Sequence, residues 1–264
     1  MIRVCVAGAT GWTGSAVAKA VLDDPELELV GAVARRAAGQ DLGATLGIGA
    51  VGLLISPTVD AALRVGCDVL VDYTSHAAVQ FHIDLAVGRR VACVVGSSGL
   101  TEADYAEVDL RAREQGVGVI AAGNFSVMAA ILQHCALLAA RHLASFEVID
   151  YASADKADVP SGTSRELAER LSGVRTPSHS IPPQAVAGPV EARGATVGGV
   201  QIHSLRLPGY SVTTEIIFGN PDERLHFRHE AGSGAGPYVA GTLLAIREAT
   251  RRVGVTRGLD TLLF

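Results

Sequence analysis

The chain has 264 residues, of which 48% are hydrophobic but only 5% aromatic, and its 22 Lys and Arg against 27 Asp and Glu give a formal net charge of −5. That length suffices for one large domain or two smaller ones with a substantial core, so no metal site or disulfide frame is needed to hold it together. The acidic balance, with no basic block longer than a pair such as Arg35–Arg36 or Arg251–Arg252, argues against a nucleic-acid partner.

The apolar excess is Ala, Val, Leu and Gly, the composition of a parallel sheet buried on both faces by helices. Cys5, Cys67, Cys93 and Cys135 are widely spaced and read as buried reduced thiols. With no signal-peptide pattern after Met1, a cytoplasmic location is expected. The long apolar segment 127–144 contains Gln133, His134, Arg141 and His142, which a bilayer would penalise, so no membrane association is expected.

Ile2–Ala7 reads as a buried strand, GATGWTG follows at 8–14, and Ser15–Leu22 continues as a helix. That order suits a dinucleotide. Gly8 allows a sharp turn, Gly11 lets the backbone approach a pyrophosphate and Gly14 allows close helix packing, with Thr10, Trp12 and Thr13 beside them at the helix start. The next strand, Glu28–Ala34, runs into Arg35 and Arg36, where an NAD enzyme usually carries an acidic residue for the ribose. The two arginines are either a solvated surface pair or a clamp on the 2′-phosphate of NADPH; the second reading makes NADPH the expected cofactor and NADH the second candidate.

Strand patterns recur at Val51–Ile55, Asp68–Asp72, Val91–Val95 and Val117–Ala121, separated by helical patterns at Thr58–Leu63, Ala77–Val87 and Glu102–Gln115. The alternation predicts an α/β, doubly wound parallel sheet of Rossmann type, with ligands beyond the carboxyl ends of its strands. Three segments fall there: 73–76 with Tyr73 and Thr74, 96–99 with Gly96 and Ser98, and 123–126 with Gly123, Asn124 and Phe125. Each is a cofactor loop or an ordinary strand-to-helix connection.

A helix at Val127–Leu143 and a strand at Phe146–Tyr151 lead to DYASADKADVPSGT at 150–163. Pro160, Ser161, Gly162 and Thr163 precede the amphipathic run Ser164–Leu171, so this is either an ordinary helix cap or an anion cradle for a substrate carboxylate. Lys156 lies beside it in a chain whose only other lysine is Lys19. A lysine kept against that bias suggests a need for a compact ammonium. Residues 173–199 read as a long loop containing one strand. Val200–Leu207, Ser211–Phe218 and Arg224–His229 read as a meander, and Tyr238–Arg251 as a closing helix.

Together GATGWTG, DYTSH, GSSG, GNFSVMA, KADVPSGTS, GGVQIHSLRLPG and EIIFGNPDERLHFRHE resemble the dihydrodipicolinate reductase family over nearly the whole chain. The resemblance implies a dinucleotide-binding domain from residues 1–126 plus 239–264, and an α+β substrate-binding and oligomerisation domain at 127–238 that commonly builds a homotetramer. It also implies hydride transfer from NADPH or NADH to a cyclic imine dicarboxylate, with Lys156, Ser161, Gly162 and Thr163 at the substrate.

The family's paired histidines, a proton donor and a substrate contact, fall on Ala152 and Ser153, and the acidic residue ahead of them on Asp150. Neither alanine nor serine is a useful acid near neutral pH, although Ser153 keeps the position of a substrate contact. Thr213–Thr214 and GSGAGP at 232–237 stand where a histidine and an arginine are common. The expected function is therefore an NADPH- or NADH-dependent reductase of a small carboxylated imine or activated alkene that can differ from the lysine precursor. The alternatives are a non-catalytic cofactor-binding paralogue and an amine- or diamino-acid-dehydrogenase-like activity.

Overall fold

The computed structural model describes residues 1–264. In chain order its elements are β1 (Ile2–Ala7), α1 (Trp12–Asp23), β2 (Leu27–Val33), α2 (Leu42–Thr45), α3 (Val59–Leu63), β3 (Val69–Asp72), α4 (His76–Gly88), β4 (Ala92–Val95), α5 (Glu102–Gln115), β5 (Gly118–Ala121), α6 (Val127–Ala140), β6 (Phe146–Ala152), α7 (Gly162–Val174), β7 (Ala195–Val197), β8 (Val200–Arg206), β9 (Val212–Gly219), β10 (Arg224–Ala231), α8 (Val239–Ala249) and β11 (Gly254–Arg257). Two units result, Met1–Val127 with Ala235–Phe264, and Met128–Gly234.

The first unit carries a six-stranded sheet in the order β11-β5-β4-β3-β1-β2, parallel throughout. Strands β3, β4 and β5 are buried at every position, which is why VLVD, ACVV and GVIA are apolar runs rather than alternating ones. Between them α5 opens with a reciprocal Thr101–Asp104 capping box. The register lines up the carboxyl ends: Val33, Ala7, Asp72, Val95, Ala121 and Arg257 form one rung across the sheet. Segments 8–14, 73–76, 96–99 and 122–126 leave that edge together, and β1 lies between β2 and β3, the switch point where such sheets bind ligands.

Two departures from expectation occur here. Val51–Ile55 is not a strand. It is a loop joined to its surroundings by single bridges at Asp41–Leu54 and Val33–Ser56, and the Asp41 carboxylate gathers the amides of Ala44, Val51 and Gly52. The sixth strand is instead β11, which follows α8 and pairs with β5.

The second unit is a five-stranded mixed sheet in the order β10-β9-β6-β8-β7. The expected meander is incorrect: β6 lies between β8 and β9, parallel to β8 and antiparallel to β9. The reason is burial, because β6 alternates buried and half-buried residues and is shielded on both edges as a central strand. Its inward Phe146 and Val148 join Leu132 and Ala136 of α6, Leu167 and Leu171 of α7, and Ile202, Ile216 and Phe218 in one core. Both helices cover the same sheet face. The third and fourth inward positions of β6 are Asp150 and Ala152, so the core gives way to polar groups at one end of the sheet.

Candidate functional site

The turn after β1 could hold a phosphate-bearing ligand. Gly8 sits at φ +82°, and a Cβ there would lie 2.3 Å from the Tyr73 carbonyl oxygen. At Gly14 a Cβ would lie 2.1 Å from the Gly8 oxygen, so only glycine lets α1 approach the turn this closely. The Gly8 and Ala9 amides both donate to Val33 O, at 2.9 and 3.1 Å, which fixes the turn to β2. The N-cap of α1 is Gly11, which has no side chain to engage the opening amides. Donors aimed outward from a helix start, with no Cβ in the way, fit a pyrophosphate. Thr10, Gly11 and Trp12 are exposed and Thr13 is half-buried; Trp12 lies edge-on to Tyr238 at 5.6 Å. Arg35 and Arg36 are exposed after β2 and join no ion pair within the chain.

The neighbouring loops divide into surface and support. Tyr73 gives its hydroxyl to an interaction with Thr242 Oγ1 at 2.7 Å, and burial pushes its pKa up. Phe125 is 1% exposed and packs edge-on to Tyr73, so its side chain supports the loop from within. Asn124 Oδ1 accepts from the Ser126 amide at 2.8 Å, closing a turn next to Gly123 just before α6. Gly96 and Ser98 lie on the loop after β4, with Thr74 opposite them on the loop after β3, where its amide donates to Ser97 Oγ at 2.8 Å.

In the second unit the organising group is Asp150, which is wholly buried. Its Oδ2 accepts from the Ser161 amide at 2.8 Å, Ser204 Oγ at 3.1 Å and Arg206 Nη2 at 2.9 Å. Its Oδ1 accepts from the Ser161 and Ser164 hydroxyls. Burial would raise its pKa, but the hydrogen bonds from Ser161 and Arg206 outweigh that and hold it below the usual carboxylate range. Arg206 also donates to the carbonyl oxygens of Asp158, at 2.7 Å, and Lys156, at 3.3 Å. One buried ion pair therefore holds both the start of α7 and the loop carrying Lys156, whose Nζ lies 2.7 Å from Asp158 Oδ1.

This arrangement alters one assignment. Both donors of Ser161, expected at the substrate, point inward to Asp150; Ser161 positions the helix, and the amides of Gly162 and Thr163 form its mouth. Ser153 is half-buried and its carbonyl accepts from the Lys156 amide at 3.1 Å, whereas Ala152 is wholly buried. The sequence reading gave no role to Arg206, Ser164 or Ser204. The signal was there: Val200, Ile202, Ser204 and Arg206 are alternate residues of β8, so a serine and an arginine continue an apolar face.

The opposite sheet face carries a second carboxylate cluster. Glu215 accepts from Tyr151 Oη and lies beside His226 Nδ1, each at 2.8 Å, while Arg228 stands 4.9 Å over the Tyr151 ring. Against burial, His226 and Tyr151 hold the Glu215 pKa down. Burial and Glu215 raise that of Tyr151.

A glycine turn at the start of α1 in one unit and the Asp150-anchored start of α7 in the other lie on a chain that two family models match end to end. They are dihydrodipicolinate reductase, N-terminus, over residues 2–125, and dihydrodipicolinate reductase, C-terminus, over residues 125–263. The chain belongs to the dihydrodipicolinate reductase family. The 4-hydroxy-tetrahydrodipicolinate reductase of Desulfitobacterium hafniense is 34% identical over 264 residues, covering 99% of this chain and 98% of that one. That of Moorella thermoacetica is 36% identical over 267 residues, with 99% and 98% covered. Among solved structures, the dipicolinate-bound dihydrodipicolinate reductase of a Paenisporosarcina species matches with a TM-score of 0.81 at 26% identity, covering 99% of both chains. An amine dehydrogenase from Mycobacterium smegmatis shares the fold, with a TM-score of 0.68 at 19% identity over 98% of this chain and 95% of that one. As in dihydrodipicolinate reductases generally, the chemistry is that of an oxidoreductase using a nicotinamide nucleotide.

Proposed function

We propose that this protein is an NADPH-dependent reductase of a small carboxylated imine or activated alkene, and that its substrate differs from the 4-hydroxy-tetrahydrodipicolinate in the names of its bacterial relatives. The observation that carries the reading is a cradle kept without its acid. Lys156 and the Gly162–Thr163 mouth of α7 are in place, while Ala152 and Ser153 occupy the histidine positions. The glycine turn at 8–14, with no Cβ over the start of α1, fits a dinucleotide, and the unpaired Arg35 and Arg36 favour the 2′-phosphate of NADPH. When bound, NADPH supplies a hydride to an electrophilic carbon. The chain's own residues do the rest. The α7 amides and Thr163 hold a substrate carboxylate, Ser153 borders the substrate, and the Lys156 ammonium steadies negative charge or delivers a proton. An imine that arrives protonated needs no histidine.

Both helices of the second unit lie on one sheet face, and the other presents Ile149, Leu205 and Ile217 among its charged pairs. That face supports a homotetramer, which sedimentation would test.

The functional test is loss of reduced-nucleotide absorbance with a panel of carboxylated imines that includes 4-hydroxy-tetrahydrodipicolinate. Absence of the general acid costs about 10²–10⁴-fold in rate, so weak turnover is expected with that compound and faster turnover with another imine. Ala152→His combined with Ser153→His should raise the weak activity where the pocket keeps the family's shape; because Ala152 is wholly buried, an unfolded or inactive double variant would mean that the pocket has closed around that position. Efficient turnover of 4-hydroxy-tetrahydrodipicolinate by the wild type would refute the altered substrate. NADPH binding without turnover of any imine would favour a non-catalytic paralogue.

A further inference from the structure

Asp72, at the end of β3, is 1% exposed, yet both of its carboxylate oxygens are hydrogen-bonded. Its Oδ1 accepts from the Thr74 amide at 3.0 Å, the Thr74 hydroxyl at 2.7 Å and the Ser97 hydroxyl at 2.6 Å. Its Oδ2 lies 2.6 Å from Nδ1 of His82, on the second turn of α4. An ionised carboxylate offers about two lone-pair positions on each oxygen, so Oδ1 is fully used by Thr74 and Ser97 while Oδ2 is engaged by His82. A carboxylate can only accept, which places the hydrogen on His82 Nδ1. Burial would raise the Asp72 pKa, but the hydrogen bonds of His82, Ser97 and Thr74 hold it below the usual range.

Ser97 makes this a clasp between two loops. Its oxygen accepts the Thr74 amide at 2.8 Å while its hydrogen goes to Asp72, so one hydroxyl joins the loop after β3 to the loop after β4. Tyr73 closes the same junction from the other side. A Cβ on Gly96 would lie 2.1 Å from the Tyr73 ring, and the ring is anchored through Thr242 on α8.

We propose that Asp72, His82 and Ser97 are positioning residues for nucleotide binding: a buried carboxylate, oriented by a histidine, sets two loops as one shelf at the carboxyl edge of the sheet. This rests on the cofactor reading above. The shelf presents Thr74, Ser98 and the Gly96 backbone to the nucleotide, while Asp72, His82 and Ser97 themselves do not touch it. Asp72→Asn keeps the shape but places an NH₂ where one set of donors points. Ser97→Ala removes the clasp and leaves the carboxylate.

The test is a titration of NADPH into wild type, Ser97→Ala, Ser97→Thr, Asp72→Asn, His82→Gln and the Asp72→Asn/Ser97→Ala double variant, with a urea midpoint for each. Ser97→Ala and Asp72→Asn should each raise the NADPH dissociation constant about tenfold or more, the scale of one charge-assisted hydrogen bond. His82→Gln should raise it less, because glutamine can still donate to Asp72. The double variant should bind no more weakly than Asp72→Asn alone, since both changes act through one carboxylate. Ser97→Thr should keep affinity near that of wild type, and the Ser97→Ala urea midpoint should fall by no more than one hydrogen bond is worth, leaving the protein folded under the titration conditions. Wild-type NADPH affinity in Ser97→Ala, or losses that simply add in the double variant, would overturn the proposal even if Asp72→Asn does not fold. A wild type that binds neither NADPH nor NADH would overturn both this proposal and the cofactor reading, and so is distinguishable from failure of the clasp alone.

Discussion

Asp150 and Arg206 form a buried ion pair, with side chains 1% and 15% exposed, and each also serves the backbone of the 156–164 segment. Removing one partner strands the other charge away from water, so Asp150→Ala should cost about 3–5 kcal/mol in urea unfolding. Replacing both, as Asp150→Leu with Arg206→Met, should cost less than the sum of the single changes. Additive losses would mean that the pair does not act as a unit. Arg35 and Arg36 are the opposite case. Both are exposed, so Arg35→Ala with Arg36→Ala should leave the unfolding midpoint in place while weakening NADPH, and not NADH, binding. An equal loss for both nucleotides would remove the 2′-phosphate assignment. Lys156 stood out in the sequence because lysine is rare in this chain. The role of Asp150 was not, because an aspartate within an apolar strand shows no partner until β8 is known to lie beside β6. Ser161 misled for the related reason that a serine at a helix start looks the same whether its donors face out or in.

Among the elements, the β1 turn and α1 tolerate least. Gly14→Ala drives a methyl to 2.1 Å from the Gly8 carbonyl oxygen, and neither backbone segment is free to move. It should abolish nucleotide binding and lower the melting temperature; retained NADPH affinity would mean that the turn is not the phosphate site. At α7, Thr163→Val deletes one hydroxyl at the helix mouth. It should raise the Michaelis constant of the preferred imine by about 1.5–3 kcal/mol equivalent, with nucleotide affinity unchanged. Several elements were readable to within a few residues: β1, α5 and β6 all lie where the pattern placed them. Pairing order was not. Three β patterns in succession suggest a meander, but only the need to bury both edges of β6 inserts it between the second unit's later strands. Strand β11 has a single strongly apolar residue, Val255, and derives its place from the exposed edge of β5, which no local pattern records.

At the level of the whole molecule, acid should be the stress that unfolds this protein first. Asp72, Glu147, Asp150 and Glu215 are all held below the ordinary carboxylate range, so in acid the unfolded chain binds more protons than the folded one. Their contribution is complete above about pH 5 and is lost as pH falls through the unfolded values near 4 toward the folded ones. Burial lowers the His229 pKa, so its share begins to be lost earlier, below about pH 6.5. The urea midpoint should fall from that point, and His229→Gln should flatten the decline between about pH 6.5 and 5; identical curves would remove His229 as a contributor. No helix is long and apolar enough to cross a membrane. One side chain also makes the protein report on itself. Trp12 is the only tryptophan, 55% exposed on the first residue of α1. All tryptophan emission from the protein therefore originates at the glycine turn before α1, in the wavelength band where reduced nicotinamide absorbs. Adding NADPH should dim that light and pass part of it to the nicotinamide, with no label attached, and Trp12→Phe supplies the dark control. Emission unchanged at saturating NADPH would place the nucleotide away from α1.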